Sequence, residues 1–163
     1  MNTPGSGTDG PGSSFLFELD DFLPYRLSLL TNTVSAGIAR SYRDQHQISV
    51  IEWRIMAVLG RYPGLTAKEI GERTAMDKVA ISRAVKTLVE RGLLERVTDP
   101  EDRRRMHLQL SPGPGQNLLE EVIPLAQAYE QQLLATLTPK EQGVLSNLLT
   151  KLQQKAANLT PPI

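Results

Sequence analysis

The sequence predicts a mainly α-helical fold with one small β-hairpin, an α+β arrangement, and three observations carry that prediction. Apolar residues recur three and four apart over most of the 163 residues, the period of helices with one buried face. The period changes to alternation in LLERV (93–97) and MHLQL (106–110), as expected of half-buried strands. Between these stretches lies a turn with a basic tip, TDPEDRRR (98–105), and directly before them two helical patterns follow each other closely. Helix, helix and basic-tipped hairpin, in that order, make a winged helix-turn-helix core, here with further helices on either side.

Residues 1–14, MNTPGSGTDGPGSS, are rich in Gly, Ser, Pro and Thr; they offer too little apolar surface to offset ordering entropy and are expected to form a disordered tail. From Phe15 onward Leu23, Leu27, Leu30, Val34 and Ile38 recur at helical spacing, Asp20 and Asp21 are available as caps, and Pro24 is tolerated in a first turn. This predicts one long helix to about Arg43, within an N-terminal segment 15–48. A second helix follows Ser49, with Trp53, Met56, Ala57 and Leu59 on its buried side, and stops at the turn YPG (62–64).

In the stretch LTAKEIGERTAMDKVAISRAVKTLVERGLLERV, Thr66 and Glu69 form a T-x-x-E capping box, so a short helix opens there and runs to about Thr74. Asp77 is a good N-cap for the next helix, whose Ala80, Ile81, Ala84, Val85 and Leu88 fall on one side and which Gly92 stops. The other side of that helix presents Lys78, Val79, Ser82, Arg83 and Lys86. After the hairpin, with Met106, Leu108 and Leu110 on one face, a helix is expected from Ser111 through Leu137, interrupted or bent at Pro124. A second capping box, Thr138-Pro139-Lys140-Glu141, opens the last helix, and Leu145, Leu148, Leu149 and Leu152 form its apolar stripe. A core of this size needs neither the first helix nor the last two, so their apolar faces call for another partner, most economically a second copy of the chain.

Composition narrows the function. With no cysteine there is no disulfide framework, thiolate metal site or thiol switch, and two histidines, His46 and His107, leave little for metal chemistry. No cofactor or metal is expected. No apolar run is long enough for a membrane span and the start lacks the pattern of a secretion signal, so a soluble, cytoplasmic chain with no membrane partner is expected. Formal net charge is zero, yet residues 61–112 carry eleven Lys/Arg against eight Asp/Glu. A pI of 6.7 argues against indiscriminate coating of nucleic acid but leaves room for a local basic face.

A helix such as 77–91 fits the major groove of B-DNA, where Arg83 has the planar fork that pairs with guanine and Ser82 and Lys78 can reach a base or a phosphate. An arginine at a hairpin tip can enter a narrow A·T-rich minor groove, with a neighbouring carboxylate, Asp102, holding the guanidinium in position. Arg103, Arg104 and Arg105 supply both a probe and phosphate anchors. A solvated basic helix face and a loop of mutually neutralising charges are the competing explanations of the same residues.

The order of elements, the segment DKVAISRAVKTLVERGLLERVTDPEDRRRMHLQLS and the late LTPKE resemble the MarR family of bacterial transcription regulators, over about Phe15 to Leu152. The family's D-x-R wing signature is matched by Asp102 and Arg104. The resemblance implies that Arg104 is the minor-groove finger, Asp102 its orienting partner, and Arg103 and Arg105 lesser phosphate contacts. It also implies a homodimer held by its first and last helices on a roughly palindromic double-stranded DNA operator. On this reading residues 49–111 are the DNA-binding domain, 112–158 the C-terminal dimerisation helices and 159–163 a flexible end.

Many such regulators answer to small aromatic or phenolic acids bound between the dimerisation helices and the winged helix. In the corresponding helices Tyr25, Arg26, Arg40, His46 and Trp53 are the candidates for contact with such an effector. Trp53 is better accounted for by core packing and the nearby Arg54 by a surface or interdomain ion pair. A repressor released by its ligand is therefore expected. Nothing in the chain supports an enzyme: there is no Gly-rich phosphate loop, activated nucleophile or convergent carboxylate pair. The stronger rival is a winged-helix scaffold for protein partners, which would have no need of Arg83, Lys86 and Arg104 together.

Overall fold

Local hydrogen bonding starts most of the helices where the sequence marks them. The computed structural model describes residues 17–99, 102 and 105–159, so the expected tail 1–14 and residues 160–163 of the expected flexible end lie outside the described residues. A short 3-10 turn, Leu19–Asp21, precedes α1 (Leu23–His46); α2 (Val50–Arg61), α3 (Ala67–Thr74) and α4 (Lys78–Glu90) follow. Strands β1 (Leu94–Thr98) and β2 (Met106–Leu110) lead into α5 (Pro114–Leu134) and α6 (Pro139–Ala157). Full capping boxes open α2 at Ser49 and Glu52, α3 at Thr66 and Glu69, and α6 at Thr138 and Glu141. Each box satisfies backbone N–H groups that the first turn cannot bond internally.

The chain divides into two units within α1, one up to Ser35 and one from Ala36. In the first, Phe17 and Phe22 meet edge to face with ring centroids 5.0 Å apart, while Leu23, Leu27, Leu29 and Leu30 are exposed. Asp20 and Asp21 belong to the 3-10 turn rather than capping α1, and α1 continues past Arg43 to His46.

The second unit holds the core, built from Tyr42, Ile48, Ile55, Met56, Leu59, Ile70, Ile81, Leu88, Leu94, Leu108 and Val122. Its central helix is α2, which packs against α3, α4, β2 and α5. The buried side of α2 is Glu52, Ile55, Met56 and Leu59, at spacing i, i+3, i+4, i+7. Trp53 and Ala57, expected on that side, are only half-buried. A carboxylate heads the stripe because Glu52 is engaged in the capping box, its Oε2 accepting from the Ser49 N–H at 2.6 Å. That cap lets a charged residue sit where an apolar one is expected.

The strands pair antiparallel, with Leu94 opposite Leu110, Arg96 opposite Leu108 and Thr98 opposite Met106. Leu108 also bonds the α2–α3 connection: its N–H donates to the Leu65 carbonyl at 2.8 Å and its carbonyl accepts from Gly64 N–H at 3.0 Å. Gly64 has φ +82°, which a side chain would strain. Leu108 and Leu110 are buried but Met106 is exposed, because β2 has run beyond the core by the hairpin end. In α5 the helix starts at Pro114, later than the expected Ser111, and is uninterrupted through Pro124 to Leu134. In α6 no residue is buried, and Val144, Leu145, Leu148, Leu149 and Leu152 are exposed in the single chain. No helix among the described residues is long and apolar enough to cross a membrane.

Candidate nucleic-acid interface

The α3–α4 pair is set by short-range chemistry. Glu69 accepts from the Thr66 N–H at 2.7 Å and the Thr66 hydroxyl at 2.8 Å, and these bonds hold its carboxyl below the ordinary carboxylate range. After α3 the chain turns through Ala75 in the left-handed region, φ 53°. Asp77 then caps α4, its Oδ1 accepting from Val79 N–H at 2.8 Å and Ala80 N–H at 3.0 Å. Ile70 of α3 and Ile81 of α4 are both fully buried, and a side chain on Gly71 would press on Ile81. This close packing fixes how α4 is presented.

Ile81, Ala84, Val85 and Leu88 face the core, so the helical period turns Lys78, Val79, Ser82, Arg83 and Lys86 outward, and all five are exposed. Val79 is 55% exposed, an apolar side chain held in the middle of a polar face. Lys86 meets Glu90 at 3.7 Å, both well exposed, a pair of small energetic weight. Lys78 and Arg83 have no ion-pair partner among the described residues.

The hairpin adds a cation that sequence reasoning missed. Arg96 follows Leu94 by two residues and lies opposite Leu108, so strand alternation places it on the face that turns toward α4. It lines one open cleft with Ser82, Arg83, Lys86, Val89 and Glu90. The signal was present in the alternation of LERVT, but the hairpin had to be folded onto α4 before Arg96 joined Arg83 and Lys86. Like Arg83, Arg96 has no ion-pair partner among the described residues.

At the hairpin tip Asp102 is exposed and its N–H donates to Asp99 Oδ1 at 3.2 Å. The Asp102 carbonyl accepts from Arg105 N–H at 2.9 Å, and Asp99 N–H donates to the Arg105 carbonyl at 3.1 Å. Asp102 and Arg105 are thereby joined in one loop closed on Asp99. Arg103 and Arg104, the central wing candidates, lie outside the described residues.

Two more residues escaped the sequence reading because their partners are distant in the chain. Arg91, the C-cap of α4, donates from Nη1 to the Gln47 carbonyl at 2.7 Å and from Nη2 to the His46 carbonyl at 2.9 Å. It joins the end of the candidate recognition helix to the end of α1. His107 bridges the Gly64 carbonyl and the Asp99 carboxylate, at 2.6 Å and 2.8 Å.

The effector candidates are dispersed along their helices. In the first unit, Tyr25 and Arg26 are exposed near the start of α1. In the second, Arg40 is exposed, His46 lies 3.6 Å from Glu121, and Trp53 is half-buried with its ring 6.0 Å from that of Tyr42. Tyr42 itself is a residue the sequence reading passed over, although it continues the stripe four residues beyond Ile38. It is buried, its hydroxyl has no hydrogen-bond partner among the described residues, and burial pushes its phenol above the ordinary tyrosine range. Among the described residues no group of three or more His, Cys, Asp or Glu is placed to hold a metal ion.

The comparisons with known proteins agree with this geometry. Residues 46–105 match the MarR family. A protein assigned to regulation of the hcr operon in Thauera aromatica is 32% identical over 101 residues, 62% of this chain and 60% of that protein. The match thus spans less than two thirds of that relative. A solved structure from Pseudomonas aeruginosa, assigned as a transcriptional regulator, is 32% identical with a TM-score of 0.72, over 83% of this chain and 99% of that one. The PcaV regulator from Streptomyces coelicolor, solved in complex with its natural ligand, is 25% identical with a TM-score of 0.72, over 86% of this chain and 97% of that one. With its helix-turn-helix, hairpin wing and flanking helices, the chain belongs to the MarR family of transcriptional regulators.

Proposed function

We propose that this chain is a homodimeric repressor that binds a pseudo-palindromic double-stranded DNA operator and is released by a small acid, aromatic or phenolic in character. The observation that carries the DNA-binding reading is the cleft in which Arg83 and Lys86 of α4 meet Arg96 of β1, with neither arginine neutralised by a carboxylate among the described residues. In this reading α4 enters the major groove. Arg83 pairs with a guanine edge, Val79 meets a thymine methyl, and Lys78, Ser82 and Lys86 reach bases or phosphates. Arg96 anchors phosphate beside it. The wing, with Asp102, Arg103, Arg104 and Arg105, follows the adjacent minor groove, Arg104 as the inserted side chain.

The exposed leucines of α1 and α6 support self-association, since such stripes on a monomer would leave a large apolar surface in water. Two copies then present two α4 helices to half-sites about one turn of DNA apart. Release follows when ligand favours a dimer in which that separation no longer matches the DNA. That the PcaV regulator was solved in complex with its natural ligand supports a ligand-responsive reading, and Tyr25, Arg26, Arg40, His46 and Trp53 are the side chains in which to seek contacts with an effector.

The deciding experiment is enrichment of bound duplexes from a random DNA pool by the full chain, followed by salt titration on the enriched sequence. An inverted repeat whose affinity falls steeply with salt is expected, because displaced phosphate counterions make binding salt-dependent. A folded dimer that enriches no sequence would overturn the proposal.

A further inference from the structure

His107 stands on β2 between two acceptors. Its Nδ1 lies 2.6 Å from the Gly64 carbonyl oxygen and its Nε2 lies 2.8 Å from Asp99 Oδ2. A carbonyl oxygen only accepts, and so does an ionised carboxylate. Both contacts are hydrogen bonds only when both ring nitrogens carry protons, that is, in the imidazolium. The neutral ring keeps one bond and turns a lone pair toward the other oxygen.

The two partners lie on the α2–α3 turn and at the end of β1. Gly64 belongs to the α2–α3 turn and is pinned to β2 by its own N–H, bonded to the Leu108 carbonyl. Asp99 ends β1, and its other carboxylate oxygen accepts from the Asp102 N–H. Asp99 N–H also donates to the Arg105 carbonyl. One carboxylate therefore accepts hydrogen bonds from both the Asp102 N–H and the protonated His107 ring. The His107 and Asp99 side chains are 25% and 17% exposed, so the contact is partly shielded from water.

Resting on the reading that the wing engages DNA, we propose that protonated His107 is the positioning residue of the wing: it holds Asp99, and with it the loop bearing Asp102 and Arg105, against the α2–α3 turn. Wing engagement then weakens as the imidazolium loses its proton.

The surrounding charges agree with this. The hydrogen bond to Asp99 is the largest influence on His107 and raises its pKa above 6.5; the bond to Gly64 raises it further, while partial burial and the Arg105 charge oppose. Glu69 of α3 is another carboxylate that responds to the His107 charge. Because the folded pKa is raised, the brace is fully formed below 6.5, the ordinary value, and is lost as pH rises through the raised one.

The test is the affinity of the full chain for its pool-enriched duplex between about pH 6 and about pH 8.5 at constant ionic strength. Affinity is expected to fall with rising pH, on the order of threefold per wing and tenfold for two, as the binding-competent wing becomes a minority. His107→Gln and Asp99→Asn should both flatten this profile. In the free protein, nitrogen NMR of the two imidazoles should show the doubly protonated form of His107 in the majority at pH 6.5, the ordinary value, and titration above it that drops in Asp99→Asn.

A wild-type profile as flat as that of His107→Gln, or a His107 that titrates at or below its ordinary value, overturns the proposal while leaving DNA binding intact. Absence of DNA binding at every pH overturns the proposed function and this inference with it.

Discussion

Replacing Arg91 by alanine removes the side-chain link between the end of α4 and the end of α1. The guanidinium spans the carbonyls of His46 and Gln47 at 2.9 Å and 2.7 Å, where the chain leaves α1 through Gln47 in the left-handed region, φ 53°. Those carbonyls are the negative end of the helix dipole, and a fork of two N–H donors matches them. A hydrogen bond from a charged donor contributes about 1.5–3 kcal/mol when shielded. Arg91 is exposed, so water competes and each bond is expected to contribute about 0.5–1 kcal/mol, about 1–2 kcal/mol together.

For a chain of this length that corresponds to a Tm lower by about 3–6 °C. Chemical denaturation at one matched protein concentration measures the loss without the confounding effect of self-association. Arg91→Lys, which keeps the charge but loses the fork, should lose about half as much. Affinity for the enriched operator should fall by no more than the same free energy per protomer, roughly five- to thirtyfold for each, if α4 depends on this tie for its orientation. An Arg91→Ala variant within about 0.3 kcal/mol of wild type would refute the argument, since two well-formed bonds would then contribute nothing net.

Arg83→Ala should lose about 1–3 kcal/mol on the enriched site and relax the preference at one base of each half-site, as read by repeating the selection; equal losses on random DNA would place Arg83 on phosphate alone. Arg96→Ala should weaken specific and random DNA alike and make the slope of log affinity against log salt shallower by about 0.9 per protomer; an unchanged slope would remove Arg96 from the interface. Glu69 and Glu141 are held below 4.5, their ordinary value, by bonds to Thr66 and Thr138. Their caps contribute stability above that value which is lost as pH falls through the lower folded pKa. Thr66→Ala should therefore cost about 1 kcal/mol at neutral pH and less in acid, and a cost independent of pH would show that Glu69 does not share in the cap.

Local features of the fold are legible in the chain's own letters. Thr66 with Glu69, Asp77, and Thr138 with Glu141 act within four residues, so the starts of α3, α4 and α6 can be read from side chains that bond their own first turn. The outward face of α4 follows from a period of 3.6 residues once Ile81, Val85 and Leu88 are assigned to the core. Even the error over α2 was local in kind: Glu52 heads its buried side because Ser49 satisfies it, a capping box present in the letters SVIE but not recognised there.

Features that depend on distant segments meeting emerge when the chain folds. Arg96 joins Arg83 and Lys86 because β1 folds back along α4. Arg91 finds its carbonyl partners more than forty positions earlier, and His107 finds Gly64 across a similar separation. A side chain of several rotatable bonds reads in the sequence as an exposed charge, and its partner is chosen only when packing of the core brings another segment within about 3 Å of it.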